Sequence, residues 1–154
     1  MSPESCVFCA IAAGKAPASR VYEDELVLAF LDIAPFTRGH ALVIPKRHAV
    51  GLSDVDSAGA ARMFAVARQV AVAARTTLDC PGVNLFLADG EAAWQTVFHL
   101  HTHVIPRWGR VDGMRLHAKQ GHPQRAELDA LAAQLASGWP PSPAADPPPS
   151  PASP

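Results

Sequence analysis

Val97-Phe98-His99-Leu100-His101-Thr102-His103-Val104-Ile105-Pro106 sets the reading of the whole chain. The stretch mixes apolar and β-favouring residues with histidines at every second position, a strand pattern that predicts a strand over 97–106. Side chains alternate faces in a strand, so His99, His101 and His103 share one face and Phe98, Leu100, Thr102 and Val104 point to the core. A lone histidine is commonly structural, but three imidazoles in a row are poor core filling. Two chemistries use such a row: a metal site, or nucleophilic catalysis in which one imidazole attacks and its neighbours hold anionic oxygens. Neutral imidazole is a good nucleophile near pH 7, provided its other ring nitrogen is held by an acceptor. Hydrolytic two-metal sites bring carboxylates into the row, and this stretch has none.

Working upstream, residues 83–88 read as a strand, joined to the histidine row through Asp89-Gly90-Glu91-Ala92-Ala93-Trp94. A long helix begins at Ser53 in the capping-box-like Ser53-Asp54-Val55-Asp56 and is broken at Cys80-Pro81-Gly82. Its apolar stripe is Phe64, Ala67, Ala71, Ala74 and Leu78, with Met63, Val66 and Val70 beside it and Arg62, Arg68, Gln69 and Arg75 opposite. Residues 40–44 form a further strand closed by Pro45, and residues 34–39 are a loop. Residues 21–23 and 26–32 are short strands about Glu23-Asp24-Glu25, and a short helix over 6–14 ends on glycine. Downstream, Pro123 opens a last helix with Leu128, Leu131 and Leu135 as its stripe, stopped by Gly138; His122 is placed to cap it, and His117 reads as a surface or structural residue. The sum is α+β: a mostly antiparallel sheet of about five strands with a long helix on one face and a C-terminal helix.

Composition agrees with one working domain. The 154 residues are 49% hydrophobic and 18% charged, within the roughly 100–200 residues of a usual domain. The 13 Lys+Arg against 14 Asp+Glu give a formal charge of -1, too little field to grip nucleic acid or an anionic membrane. No apolar run reaches the roughly 18 residues of a membrane helix, and Met1-Ser2-Pro3-Glu4 lacks a secretory pattern. The expectation is a soluble, cytoplasmic protein. Of 15 prolines, eight fall within 140–154, so residues 1–139 are the expected domain and 140–154 an extended, disordered tail. Three cysteines, an odd count, argue against a disulfide framework. Cys6-Val7-Phe8-Cys9 suits zinc or redox chemistry, against the plainer possibility of small buried apolar residues, and Cys80 reads as a packed bystander.

His-x-His-x-His followed by two apolar residues resembles the signature of the histidine triad, or HIT, family. So do Phe30-Leu31-Asp32-Ile33-Ala34-Pro35, the run from Gly39 through His40 and Pro45 to His48, and Gln95-Thr96-Val97-Phe98-His99, in the family's order. The resemblance covers about two-thirds of the chain and implies a HIT-like fold. It also implies nucleotide chemistry, with His101 attacking the α-phosphorus of a purine nucleoside phosphate derivative and a nucleotidyl-histidine intermediate released by water. His103 would hold phosphate oxygens and assist the leaving group, with Gln95 and Thr96 as a polar pair nearby and His99 completing the row. His40 would support the triad. Asp32 would accept from ribose hydroxyls, and Val7, Phe8, Ile11, Phe30 and Ile33 would wall the base. Zinc-binding members imply a closed structural site of Cys6, Cys9, His48 and His99. The family also implies a homodimer through the long helix and a neighbouring strand. Adenosine phosphoramidate or a diadenosine polyphosphate is the expected substrate type. A phosphorylase using phosphate instead of water, or a nucleotide-binding protein without turnover, are the alternatives. Three residues depart from the pattern: Ala88 where an amide side chain is usual, Trp94 where glycine is common, and Thr102 at a usually apolar position.

Overall fold

The central strands form where the sequence is apolar enough to be covered on both sides. In the computed structural model the strands are β1 (Arg20–Glu23), β2 (Val27–Leu31), β3 (Ala41–Pro45), β4 (Gly82–Leu87) and β5 (Thr102–Arg107). They make one antiparallel sheet in the order β1-β2-β3-β5-β4. The structure describes residues 3–110, 121–138 and 140, which fall into two compact units, Met1–Arg115 and Leu116–Pro154.

In the first unit the sheet is sandwiched between helices. Val27, Ala29, Ala41, Val43, Leu100 and Val104 face Met63, Val66, Ala67 and Val70 of the long helix α2 (Ser57–Leu78). The alternate residues Leu28, Phe30, Leu42 and Ile44 face Cys6, Phe8 and Ile11 at the short helix α1 (Val7–Ala12). This two-sided burial explains why β2 and β3 read as continuous apolar runs. Each fully covered side chain contributes about 1.5–3 kcal/mol.

Two features of α2 differ from the sequence expectation. Ser53 does not cap it. The cap is Asp56, whose carboxylate accepts from Gly59 N at 2.7 Å, while Asp54 turns back to accept from the Val50 and Gly51 amides. The buried face runs through Gly59, Met63, Val66, Ala67, Val70 and Ala74, leaving Phe64 exposed. An alanine-rich helix is apolar over most of its circumference, so periodicity alone did not select the face.

The row before β5 also differs. Regular strand pairing starts at Thr102, five residues later than expected, because His99 N is bonded to Val97 O and Leu100 N to Ala49 O. The alternation survives: Leu100 and Val104 pack toward α2, and the rings of His99 and His101 meet Phe8 of α1. Phe98 is half-buried and belongs to neither apolar cluster.

In the loop after β2, Gly39 has φ +79°, and a Cβ there would collide with Leu78 Cδ1. That turn delivers His40 to the start of β3. Thr37 Oγ1 donates to Pro106 O at 2.7 Å and ties the same loop to β5.

The second unit contains α3 (Arg125–Ser137), of which no residue is buried; Leu128, Leu131 and Leu135 are exposed. Its N-cap is Gln124, not His122, and Gly138 is the C-cap. His117, Trp139 and residues 141–154 of the proline-rich stretch lie outside the described residues. Among the described residues no helix is long and apolar enough to cross a membrane.

Candidate active site and metal cluster

The sheet's α1 side carries two clusters of histidines that meet at His99. In the first, His99 Nε2–H donates to Pro45 O at 2.8 Å. That bond leaves Nδ1 with its lone pair, 3.4 Å from both Cys6 Sγ and Cys9 Sγ. His48 Nδ1 lies 3.2 Å from Cys9 Sγ. The four donor atoms all lie within 4.8 Å of one another. Tetrahedral ligands about 2.0–2.3 Å from zinc stand about 3.3–3.8 Å apart, so the set fits a closed Cys2His2 centre. The His99–Pro45 bond is the outer-shell contact such a ligand uses. Burial, with the Cys6 thiol beside it, pushes the Cys9 thiol up to about 11. His48 Nε2 is buried without a partner. Cys80 is buried away from this set.

The second cluster faces the open side. His101 Nδ1–H donates to the His99 carbonyl at 2.7 Å, which leaves Nε2 carrying the free lone pair. The His101 ring is packed edge-on against Phe8 at 5.3 Å and against His103 at 4.8 Å. Burial lowers the His101 pKa and keeps the imidazole neutral. His103 is pushed down to about 4 by burial first, then by its His101 and His40 neighbours. His40 is fully buried, and burial likewise lowers its pKa against the opposing pull of Asp32. His40 Nε2 lies 2.9 Å from His103 Nδ1, and the Phe36 amide donates to His40 Nδ1 at 3.1 Å. Phe36 stacks on the His40 ring at 5.2 Å and 14°. Phe36 was not among the expected site residues, because a loop backbone amide has no residue signature.

Asp32 is half-buried just past β2; Oδ1 accepts from Ala34 N at 2.8 Å and Oδ2 stands 3.7 Å from His40 Nδ1. Of the residues expected to wall a base, Phe8, Ile11 and Phe30 are buried together, whereas Val7 is half-exposed and Ile33 is 99% exposed. Gln95 is buried, and its amide is taken up by the backbone. It accepts from Gly90 N at 2.7 Å and donates to Val50 O at 2.7 Å and Val97 O at 3.2 Å. Gln95 therefore clamps the loop, leaving no amide hydrogen for a ligand in this arrangement, while Thr96 is exposed. Trp94, just before the clamp, takes φ +71° with its ring 74% exposed. Ala88 is buried.

The family model of the HIT domain matches residues 13–109. This chain belongs to the HIT family. An uncharacterised HIT-like protein of Mycobacterium tuberculosis is 55% identical over 101 residues, 66% of this chain and 70% of that protein. The protein named hit of Bacillus subtilis is 41% identical over 140 residues, 87% of this chain and 97% of its own length. A plant relative from Arabidopsis thaliana, named adenylylsulfatase HINT3, is 34% identical over 137 residues, 86% of this HIT chain and 66% of that protein. Among solved structures, a HIT family protein of Bacillus anthracis superposes with TM-score 0.86 at 39% identity, covering 90% of this chain and all of that one. A zinc-bound histidine triad protein of Mycobacterium smegmatis is 49% identical with TM-score 0.68, again covering 90% of this HIT chain and 100% of its own.

Proposed function

We propose that the protein is a nucleotide hydrolase or nucleotidyl transferase acting at the α-phosphorus of a purine nucleoside phosphate derivative. The observation that carries this reading is the 2.7 Å bond from His101 Nδ1 to the His99 carbonyl, which leaves the lone pair of the neutral ring on Nε2. His101 Nε2 forms a bond to phosphorus as the bond to the leaving group breaks, and the departing group takes up a proton. Water then attacks phosphorus, the phosphorus–nitrogen bond breaks, and nucleoside monophosphate leaves with His101 neutral again. His103 and Thr96 are the groups we assign to the phosphate oxygens and leaving group, where preplaced donors act most strongly. Gln95 contributes by holding the Thr96 loop. Asp32 receives the ribose hydroxyls, and Phe8, Ile11, Phe30 and Ile33 receive the base.

Adenosine phosphoramidate, a diadenosine polyphosphate and adenylyl sulfate all present an α-phosphorus with a leaving group. The name of the plant relative favours including the third. The test is release of AMP from each by the wild-type protein and by His101→Asn. The variant should release none while still binding nucleotide; full activity in the variant sinks the mechanism.

We further propose a structural zinc ion on Cys6, Cys9, His48 and His99, which would tie the start of α1 to the histidine row. Elemental analysis of protein purified without chelator tests it. We also propose a cytoplasmic homodimer through α2, whose outer side keeps Phe64 and Val72 exposed two turns apart. A monomer by light scattering at micromolar concentration rejects the dimer.

A further inference from the structure

We propose that the backbone amide of Phe36, acting through His40, holds His103 as its Nε2–H tautomer, so that His103 reaches the substrate as a hydrogen-bond donor with its direction already set. The hydrogen of the Phe36 amide is fixed on its nitrogen. Phe36 N–H points at His40 Nδ1 at 3.1 Å, so that nitrogen must carry a lone pair. A neutral imidazole has one N–H, so the His40 proton sits on Nε2. His40 Nε2 is 2.9 Å from His103 Nδ1, which must then accept. The His103 proton is left on Nε2, the ring nitrogen not turned toward His40.

The competing arrangement puts a proton on His40 Nδ1, directed at Asp32. Asp32 Oδ2 is 3.7 Å away, beyond hydrogen-bond reach, and its partner carboxylate oxygen is already taken by Ala34 N. That arrangement would also leave the Phe36 amide facing an N–H at the part-buried edge of the His40 ring. Orphaning a buried donor biases such an equilibrium roughly tenfold or more. Asp32 and His101 are the other titratable groups felt by His40, and burial keeps His40 and His103 neutral against them near pH 7. The loop is built to keep the amide in place. Thr37 accepts from His40 N at 3.1 Å and donates to Pro106 O, Asp32 N donates to His40 O at 3.0 Å, and the Phe36 ring lies flat on His40. Phe36 is a positioning residue: it acts on the site only through His40.

The test is a long-range proton–nitrogen spectrum of the ¹⁵N-histidine-labelled full chain at pH 7, with the His103 signals assigned by loss in His103→Asn. Wild-type protein should show His103 as the Nε2–H tautomer; an Nδ1–H tautomer overturns the proposal. Phe36→Ala, which keeps the amide hydrogen, should leave the tautomer unchanged. Phe36→Pro, which removes it, should give His103 mixed tautomers, and an unchanged spectrum in folded Phe36→Pro overturns the proposal as well. If the proline variant does not fold, the wild-type spectrum still decides. The activity arm alone rests on the enzyme reading: kcat on adenosine phosphoramidate should fall roughly tenfold in Phe36→Pro, with KM little changed. Wild-type protein with no turnover on any nucleotide would remove the enzyme reading and leave the tautomer result standing.

Discussion

The two histidine clusters use opposite nitrogens of the same kind of ring. At the cysteine cluster, His99 gives Nε2–H to Pro45 O and turns Nδ1 toward two sulfurs. At the open cluster, His101 gives Nδ1–H to a carbonyl and keeps its lone pair on Nε2. In the proposed reading, what distinguishes a ligand from a nucleophile is therefore the backbone acceptor behind each ring. His99 joins the two: its ring belongs to one cluster and its carbonyl orients the nucleophile of the other.

The sharpest way to break that contrast is to remove each centre separately. His101→Asn should lower turnover by at least about a thousandfold and leave metal content unchanged. A fall in bound zinc in this variant would mean the clusters are not separable. Cys9→Ala should do the reverse. Bound zinc should drop from about one per chain to near zero and the thermal midpoint should fall by about 5–10 °C. Turnover should fall by no more than about tenfold, since the Cys9 side chain is not part of the His101–His99 carbonyl bond. Loss of activity as deep as in His101→Asn would place the metal cluster inside the chemistry.

How far the sequence foretold this arrangement depended on whether the signal was a side-chain pattern or a backbone partner. The five strands lie within a residue or two of expectation except for the start of β5, because alternating and continuous apolar runs report burial directly. The four-residue error at the start of α2 arose because Asp54 and Asp56 both offer capping carboxylates, and only the turn through Val50 and Gly51 shows which one faces the helix. The histidine row and the cysteine pair were visible as spacing. The backbone groups that give the rings their roles, the Pro45 and His99 carbonyls as acceptors and the Phe36 amide as a donor, carry no side-chain signature. Gln95 shows the same limit: its type suggested a ligand contact, and its partners at Gly90, Val50 and Val97 make it a clamp.

The clusters should also differ in how pH destabilises them. His103 titrates near 4 in the fold, below about 6.5 for a free imidazole. As pH falls from about 6.5 toward 4 the unfolded chain gains a proton that the folded chain refuses, so stability is full above that window and about 3 kcal/mol lower at its acid end. His103→Asn should flatten this limb in urea titrations at a series of pH values. Metal-free protein should show the opposite limb at the cysteine cluster. The Cys9 thiol is raised to about 11, so stability is full below the ordinary thiol range and is lost as pH rises through it. Cys9→Ala should remove that alkaline loss while leaving the acid limb intact.

The smallest expected effect is in the loop before the histidine row. Trp94 holds a left-handed backbone with φ +71° while its ring is 74% exposed. An aromatic residue in that region is an outlier, and little burial offsets the strain. The conformation is imposed from both sides: Trp94 N bonds to Glu91 O, Gln95 N to Gly90 O, and the Gln95 amide locks the next residue. Trp94→Gly keeps those bonds and removes the steric cost, so stability should rise by up to about 1 kcal/mol in urea unfolding. The closed cluster offers no equivalent gain, because the one non-glycine left-handed residue besides Trp94 among the described residues is Asp79 at the end of α2. A loss of stability on Trp94→Gly would mean that the indole packs against the fold more firmly than its exposure indicates. A gain in stability accompanied by a raised KM for a dinucleotide would show that the strain is kept for contact with substrate.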